Sequence, residues 1–237
     1  MLVPFGLKLS DLTETYKKSI LEHQAEGKLF AAKKDPSDRG EKLVPLDLDE
    51  NQPVWFWDKY QEADVNGSLI YQPKELSENH QGKTKQEIIG EQGGWRIVLL
   101  EDMPNIPREN PETKSGRTQI DVKGSSIKKY MEQGKNVPSP AEYLKALQQD
   151  STYKGEEGMT PEDQLMYAIT HLEETDQVID DYQGNGRASY QVGAYFPASG
   201  SVPSAGWGRG SRQADLGGHD PDDRNGVCGV RSAVRIF

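Results

Sequence analysis

Apolar residues recur at helical spacing in three segments of the chain, and each segment begins with residues that can cap a helix. The first helix is predicted from Asp11 to about Ala25, with Asp11 and Glu14 as a capping box. A Ser-Pro-Ala-Glu box predicts a second helix over 139–149, and a similar Thr-Pro-Glu-Asp box predicts a third over 160–175. Helices therefore account for a minority of the chain.

Short runs of β-branched and aromatic residues between turn-forming residues predict strands. The most apolar run, Trp95–Leu100, predicts a buried strand, and the polar stretch before it predicts a connection with some helix near 85–89. After Asp181 the chain becomes rich in glycine. The predicted strands are Val54–Tyr60, Ser68–Tyr71, Trp95–Leu100, Gln119–Val122 and Val230–Ile236.

These elements favour the α+β class, with a small sheet of short strands, two or three helices and abundant irregular chain. The chain has 237 residues, of which 34% are hydrophobic and 8% aromatic. The mean hydropathy of −0.81 indicates a modest core, while the aromatic content argues against a disordered chain. We expect an N-terminal helix and linker over 1–45 and one domain over 46–237.

The composition changes sharply near residue 184. The segment 184–237 contains no Lys, Glu or Met and carries a net charge of +2, whereas the preceding residues carry −12. An acidic body argues against nonspecific binding to nucleic acid, which requires cations to neutralise phosphates. The C-terminal quarter is therefore expected to have a separate role.

Cellular location is only weakly constrained by the sequence. Cys228 is the single cysteine, which excludes an intramolecular disulfide. The first residues lack the pattern of a signal peptide, and no stretch approaches the roughly 20 apolar residues of a membrane span. We expect no membrane insertion and a protein that is cytosolic or associated with a virus particle.

The loop His219–Asn225 is the strongest candidate for a metal site, because its Asp and Asn oxygens suit calcium. The spacing departs from the EF-hand pattern, since Arg224 occupies a position that needs an oxygen ligand. A turn in which Asx side chains bond to nearby backbone is the favoured alternative. The four histidines show no zinc spacing, so no metal and no cofactor is predicted.

Two further features have a functional and a structural interpretation. Cys228 could act as a nucleophile, but no neighbouring residue marks the thiol as activated, and a bystander thiol is favoured. The segment Gly206–Arg212 could stack on single-stranded nucleic acid through Trp207 and its arginines. The favoured interpretation places Trp207 in the core with glycines in tight turns around it. No catalytic residue is therefore predicted.

Three motifs of the C-terminal quarter carry a resemblance to a known fold. They are Val192-Gly-Ala-Tyr-Phe196, Trp207-Gly-Arg-Gly-Ser-Arg212 and the closing run Asp222–Arg231 with its final Val-Arg-Ile. Together they resemble the end of the C-type lectin fold in its formylglycine-generating-enzyme variety. The resemblance implies that the Trp-Gly segment and the Gly-Val-Arg motif complete the sheet. That family's oxidising activity depends on two active-site cysteines, so the resemblance implies the fold and not the activity.

Residues outside the C-terminal quarter extend the resemblance over about residues 50–237. Trp95–Pro107, the segment from Thr160 to Glu174, Gly193–Pro197 and Gly229–Ile236 resemble the variable proteins of diversity-generating retroelements, most of all the archaeal and viral ones. This resemblance implies a ligand-binding protein whose C-terminal residues are rewritten by an error-prone reverse transcriptase at template adenines.

The composition of the C-terminal quarter agrees with that expectation. An AAY codon randomised at its adenines gives residues such as Asn, Ser, Asp, Gly, Ala, His, Arg, Cys, Tyr and Val, and it gives no Lys, Glu or Met. The alternative explanation is that Gly/Ser-rich loops are simply poor in Lys and Glu. The positions predicted to vary and to form the ligand-binding surface are Arg187, Ser189, Tyr190, Ser201, Ser204, Gly206, Gly208, Arg209, Ser211, Asp215, Gly217, Gly218, His219, Asp222, Asp223, Asn225, Gly226 and Cys228.

A changeable surface needs a backbone that does not depend on the changing side chains. We therefore expect the varied side chains to point outward on one face, above a fixed core and glycines in tight backbone at 193 and 229. The predicted core residues of this region are Tyr195, Phe196, Trp207, Leu216, Val230 and Val234.

The resulting prediction is a non-enzymatic recognition protein that binds a protein or a cell-surface ligand and not nucleic acid. The resemblance implies a role in attachment to a host or neighbouring cell. Two alternatives stay open at this point. One is a formylglycine-generating-enzyme-like oxidoreductase that uses Cys228 or a metal, and the other is a structural virion protein whose tail makes subunit contacts.

Overall fold

The computed structural model describes residues 1–33, 38–100, 138–184 and 186–236, and the strand predicted at 119–122 lies outside these ranges. This part of the chain is a mixed α+β structure with several small sheets. Its helices are α1 (Leu9–Ala25), α2 (Ala63–Asn66), α3 (Lys85–Gln92), α4 (Pro140–Gln149) and α5 (Pro161–Thr175). Its strands are β1 (Leu2–Val3), β2 (Val54–Phe56), β3 (Ile70–Tyr71), β4 (Arg96–Leu100), β5 (Glu157–Gly158), β6 (Ala188–Tyr190), β7 (Ala194–Tyr195), β8 (Val202–Gly208), β9 (Gln213–His219), β10 (Cys228–Val230) and β11 (Ser232–Ile236).

The C-terminal quarter supplies most of a five-stranded sheet with the order β10-β6-β8-β9-β2. Its centre is the long antiparallel pair of β8 and β9, in which Gly206 lies opposite Asp215 and Ser204 lies opposite Gly217. β2 is parallel to β9 and places Trp55 beside Asp215. A four-stranded sheet, β1-β4-β11-β5, joins both ends of the described chain, and β3 pairs with β7.

The two long strands alternate between a core face and an outer face. Ala205 and Trp207 of β8 and Ala214 and Leu216 of β9 belong to one buried cluster. That cluster also contains the apolar stripe of α1 and the inward residues of α5, so the N-terminal helix and the tail share a core. Because side chains alternate along a strand, the residues between these four face the other side of the sheet.

Part of that outer face is covered by α4. Tyr143, Leu144 and Leu147 of this helix pack with Tyr190 and Val202 in a second buried cluster. The helix begins with the predicted capping box, in which the Ser139 hydroxyl accepts from the backbone of Glu142. The rest of the outer face is open, and this is where the candidate site lies.

Buried ion pairs connect α5 to the four-stranded sheet. The Asp163 carboxylate accepts hydrogen bonds from Arg96 at 2.9 Å and from Arg235 at 2.7 Å, and all three side chains are buried. Burial by itself raises the pKa of Asp163, but the charges of Arg235 and Arg96 outweigh burial and lower it to about 2. A third arginine, Arg231, pairs with buried Asp180.

The capping boxes predicted at 139 and 160 are confirmed, and the box predicted at Asp11 is wrong. The first helix begins two residues earlier, and Lys8 at its N-cap makes no side-chain bond. The backbone N–H of Leu9 donates instead to Asp64, 55 residues away in sequence, at 3.0 Å. A distant carboxylate thus supplies the acceptor that the local sequence does not.

The strand at 95–100 is not buried on both faces as its composition predicted. Arg96 and Val98 are buried, whereas Trp95, Ile97 and Leu99 are 61%, 47% and 56% exposed. The predicted strand at 54–60 ends early and continues as a 3₁₀ turn over Asp58–Tyr60.

The predicted closing strand is divided in two. Arg231 separates β10 from β11, and these strands belong to different sheets. Val234 was predicted as core, but it is 36% exposed, while the other five predicted core residues of the C-terminal quarter are buried. No helix in the described part of the chain combines the length and the apolar character that crossing a membrane requires.

Candidate ligand-binding cleft on the five-stranded sheet

A cleft of about 410 Å³ opens on the outer face of the five-stranded sheet. Its floor is the exposed side of β8 and β9, and its rim comes from β2, from the segment before β6 and from the loop after β9. The volume lies within the range of about 300–1,000 Å³ that is typical of small-ligand sites. The lining residues are Trp55, Trp57, Tyr182, Ala188, Ser204, Ala205, Gly206, Asp215, Gly217, Gly218, His219, Asn225, Val227 and Cys228.

Glycines create the space on the floor of the cleft. A Cβ atom at Gly206 would lie 2.9 Å from the Tyr182 ring, and one at Gly218 would lie 2.5 Å from the Trp57 ring. At Gly217 the nearest atom is 3.3 Å away, on the Trp55 ring. The aromatic rings therefore rest directly on the sheet backbone, and a larger residue at Gly206 or Gly218 would displace them.

Aromatic side chains form the walls. Trp55 is 37% exposed and lies over β9, while Trp57 is held by an edge-to-face contact with Phe196 at a centroid distance of 5.6 Å. Tyr182 lies over β8 and is partly exposed. Burial raises the pKa of its hydroxyl, and the nearby carboxylate of Asp215 raises it further, so this hydroxyl stays protonated near neutral pH.

Asp215 is the carboxylate of the cleft. Its Oδ1 atom accepts a hydrogen bond from Gln213 at 2.9 Å. Burial raises the pKa of Asp215, and hydrogen bonds from Gln213 and Ser211 oppose part of that rise. Among the described residues no lysine or arginine lies within ion-pair distance of Asp215, and none lines the cleft.

The loop after β9 forms one end of the cleft and is a turn cluster, as predicted. Asp220 accepts from the backbone of Asp222 at 2.8 Å, and Asn225 accepts from Val227 at 3.0 Å. His219 lies 2.9 Å from the carboxylate of Asp223 and contacts the buried Tyr190 ring edge-to-face. Within the described ranges no three His, Cys, Asp or Glu side chains are grouped so that they could hold a metal ion.

The single thiol lies at the edge of the cleft floor on β10. Cys228 is 1% exposed, and burial raises the pKa of its thiol to about 12. A thiol with this pKa is almost fully protonated at neutral pH, which makes it a poor nucleophile. The geometry thus supports the bystander interpretation of Cys228.

The structure brings together eight of the eighteen nominated positions in the cleft lining. These are Ser204, Gly206, Asp215, Gly217, Gly218, His219, Asn225 and Cys228. Seven more lie on strand ends and loops outside the lining, at Ser201, Gly208, Arg209, Ser211, Asp222, Asp223 and Gly226.

The expectation that every nominated side chain points outward is wrong for three positions outside the cleft. Arg187, Ser189 and Tyr190 are 2%, 0% and 0% exposed. Ser189 faces the core because β6 places it opposite the inward residue Ala205. Tyr190 faces outward but is covered by α4, through its contact with Tyr143. Two lining residues, Ser204 and Cys228, are also buried, at 5% and 1% exposed.

Arg209 has a structural contact that sequence reasoning did not reveal. Its guanidinium donates two hydrogen bonds to Asp181, at 2.6 and 2.8 Å, and the Asp181 side chain is fully buried. The arginine side chain is 36% exposed. Arg209 therefore neutralises a buried carboxylate as well as presenting a surface.

The aromatic walls were also missed as site residues. The run Val-Trp-Phe-Trp predicted a strand, but alternation could not show which tryptophans face a cleft some 160 residues away in sequence. Tyr182 lies in the segment between α5 and β6, and no sequence signal marks it. The only available signal was the excess of glycine in the facing strands, which indicates close approach of another group.

Comparisons with protein-family models, with curated proteins and with solved structures found no match for this chain.

Proposed function

We propose that this protein is a non-enzymatic ligand-binding protein whose cleft is built on exchangeable positions of its C-terminal quarter. In this proposal the chain is a variable protein of a diversity-generating retroelement, of the archaeal and viral type. Its fold is the C-type lectin fold in the formylglycine-generating-enzyme variety. Its biological role is attachment to a host or a neighbouring cell.

One observation carries the proposal, namely the separation of two faces along β8 and β9. Inward positions hold Ala205, Trp207, Ala214 and Leu216, which are large or tightly packed. Outward positions between them hold Ser, Gly and Asp, and the cleft lies over them. Outer-face side chains point away from the core, so they can change with little effect on it, except at Gly206, where a Cβ atom would lie 2.9 Å from the Tyr182 ring.

The identity of the outward residues supports the mechanism of diversification. Every nominated position carries a residue that a randomised AAY codon can encode, and eight of those positions line one cleft. The inward Trp207 cannot arise from such a codon, which agrees with a fixed core position there. The residues of the cleft walls, Trp55 and Trp57, lie upstream of the changed region.

The closing motifs support the lectin-type fold. The Trp-Gly segment forms the end of β8, and the Gly-Val-Arg motif leads from β10 into β11. Gly193 lies in tight backbone, because a Cβ atom there would be 2.2 Å from the carbonyl oxygen of Gly158. The resemblance implies that these motifs complete the sheet, and the tight backbone at Gly193 agrees with the expectation of a framework that does not depend on the varied side chains.

A pair of libraries tests the proposal on the protein itself. Outward positions Ser211, His219, Asp222 and Asn225 are randomised to the AAY set in one library, and the four inward positions of β8 and β9 in the other. We expect most outward variants to stay folded and most inward variants to unfold, measured by thermal melting of purified clones. Equal loss of folding in both libraries would contradict a diversified outer face.

The DNA around the gene gives an independent test of the mechanism. The proposal expects an imperfect copy of the 3′ coding end that differs almost only at adenines, near a gene for a reverse transcriptase. A locus without such a repeat would remove the retroelement from the proposal and leave an ordinary binding protein.

A further inference from the structure

In the cleft, aromatic rings lie on both sides of the Asp215 carboxylate. Asp215 pairs in register with Trp55 on one side and with Gly206 on the other, and the Tyr182 ring rests on Gly206. The Asp215 Oδ2 atom and the Tyr182 hydroxyl both lie within 3.5 Å of the Cβ position of Gly208. The Ser211 hydroxyl lies 2.3 Å from the same point, so a ligand group would reach Asp215 from the open side of the cleft, which Trp55 and Tyr182 also line.

Among the described residues, no cationic side chain forms an ion pair with the Asp215 carboxylate, and none lines the cleft. Two arginines in the loops that follow β8 and β9 form ion pairs with other carboxylates. Arg209 pairs with Asp181, and Arg224 pairs with Glu142. In the part of the chain that the structure describes, the hydrogen-bond donors to Asp215 are the neutral side chains of Gln213 and Ser211. Partial burial of an unpaired carboxylate costs free energy, and a cationic ligand that enters the cleft would offset that cost.

We propose that, in this copy of the protein, the cleft binds the guanidinium group of an arginine side chain on a protein partner. This inference rests on the proposed function, because it names the ligand class of the same cleft. A planar guanidinium can bond to Asp215 with two parallel hydrogen bonds and can stack on an aromatic face at the same time. The faces of Trp and Tyr attract cations, most strongly where water is excluded.

The same geometry ranks arginine above other ligands. A lysine ammonium can pair with the carboxylate, but it is a point charge without a planar face to stack on Trp55. A sugar can stack on the ring, yet it leaves the carboxylate charge without a counter-ion. The ligand is expected to be part of a protein surface because the cleft is open and wide enough for one projecting side chain.

The test uses the full chain and four small probes, followed by NMR of the tryptophan indole N–H groups. The probes are Nα-acetyl-argininamide, its neutral isostere Nα-acetyl-citrullinamide, Nα-acetyl-lysinamide and methyl α-mannoside. Trp55 and Trp57 report on the cleft, whereas exposed Trp95, just before β4, and buried Trp207 serve as internal controls. We expect saturable shifts of the two cleft tryptophans with the arginine probe and at least tenfold weaker binding of citrulline.

Two variants distinguish binding to the cleft carboxylate from nonspecific attraction to the negative charge of the protein. Asp215→Asn should weaken the arginine probe at least tenfold, and Asp47→Asn, at an exposed aspartate outside the cleft lining, should leave its affinity unchanged. Affinity of the wild-type protein should also fall as the pH drops through the raised pKa of Asp215, because protonation removes the negative charge.

Each other outcome overturns the inference. Equal binding of citrulline and arginine, or undiminished binding by Asp215→Asn, would show a cleft that binds without charge recognition and would leave the proposed function intact. Shifts with the mannoside alone would identify a carbohydrate cleft. The absence of shifts with every probe would also overturn it, and the folding libraries described above then decide separately whether the outer face is exchangeable.

Discussion

The two faces of the β8–β9 pair differ in packing: one is buried in the core and the other is open to the cleft. The inner face packs Trp207 and Leu216 among side chains from both ends of the chain, and nothing there can change without leaving a void or a clash. The outer face carries glycines, a serine and one unpaired carboxylate beneath aromatic walls. The comparison teaches that alternate residues of one strand can belong to a packed core and to an open cleft.

The largest difference between the faces is expected for a matched pair of tryptophans. Trp207→Ala should lower the free energy of unfolding by about 3–5 kcal/mol, because it empties a core site. Trp55→Ala removes a ring of the same size from the cleft wall, where it is 37% exposed, and should cost about 1–2 kcal/mol. Urea unfolding of both variants measures the difference, and similar costs would remove the distinction between core and wall.

The second effect concerns the buried ion pairs that hold the sheet of β4 and β11 against α5. The pKa of Asp163 is about 2 in the folded protein and 3.8 in an unperturbed carboxyl, so its pairing with Arg96 and Arg235 stabilises the fold above pH 4. That contribution, about 2 kcal/mol, is lost as the pH falls through 2. Unfolding measured between pH 5 and 2 should show the loss.

The control for this effect is Asp163→Asn, which removes the titrating group. We expect the variant to be less stable at neutral pH and to lose the part of the slope that Asp163 supplies between pH 4 and 2. An unchanged slope in that variant would assign the acid sensitivity to other carboxylates.

The third effect concerns Arg209, a position predicted to vary whose side chain also pairs with a buried carboxylate. Arg209→Ala leaves the buried carboxylate of Asp181 without its bidentate partner and should cost about 1–2 kcal/mol. The double variant with Asp181→Asn should recover part of that loss, because the unpaired charge is gone. Chemical denaturation of the single and double variants measures this coupling, and a neutral Arg209→Ala would show that Arg209 is free to vary after all.

The smallest effects are expected in the loop at the end of the cleft. Asp222→Ala removes an exposed side chain, and His219→Ala removes a partly exposed ring that contacts Tyr190. Each should change the free energy of unfolding by less than about 1 kcal/mol. Differential scanning calorimetry measures both, and losses as large as that of Trp207→Ala would place this loop with the core.

Local signals in the sequence predicted a substantial part of the fold. The helices starting at 140 and 161 carry complete capping boxes, and a box depends on four adjacent residues only. The first helix was found for its apolar stripe, but its start was displaced because Asp64 accepts the Leu9 N–H from another element. When a residue distant in sequence accepts the hydrogen bond at a helix start, the sequence around that start contains no capping motif.

The sequence indicated the region of the candidate site but not the arrangement of its residues in space. The change of composition pointed to the C-terminal quarter, and eight nominated positions do meet in one cleft. The walls came from Trp55 and Trp57 because β2 joins the edge of β9 in parallel, which sequence order does not indicate. Tyr190 was nominated for the surface, and only the docking of α4 on β6 decides that it is buried.

By itself the sequence determined the α+β class and two of the helix starts, because each of these depends on residues close together in the chain. The tertiary structure alone decided which aromatic rings enclose the cleft and which of the described carboxylates form ion pairs. The reason is physical, since burial and charge pairing depend on distances between atoms that the chain brings together only when distant segments pack.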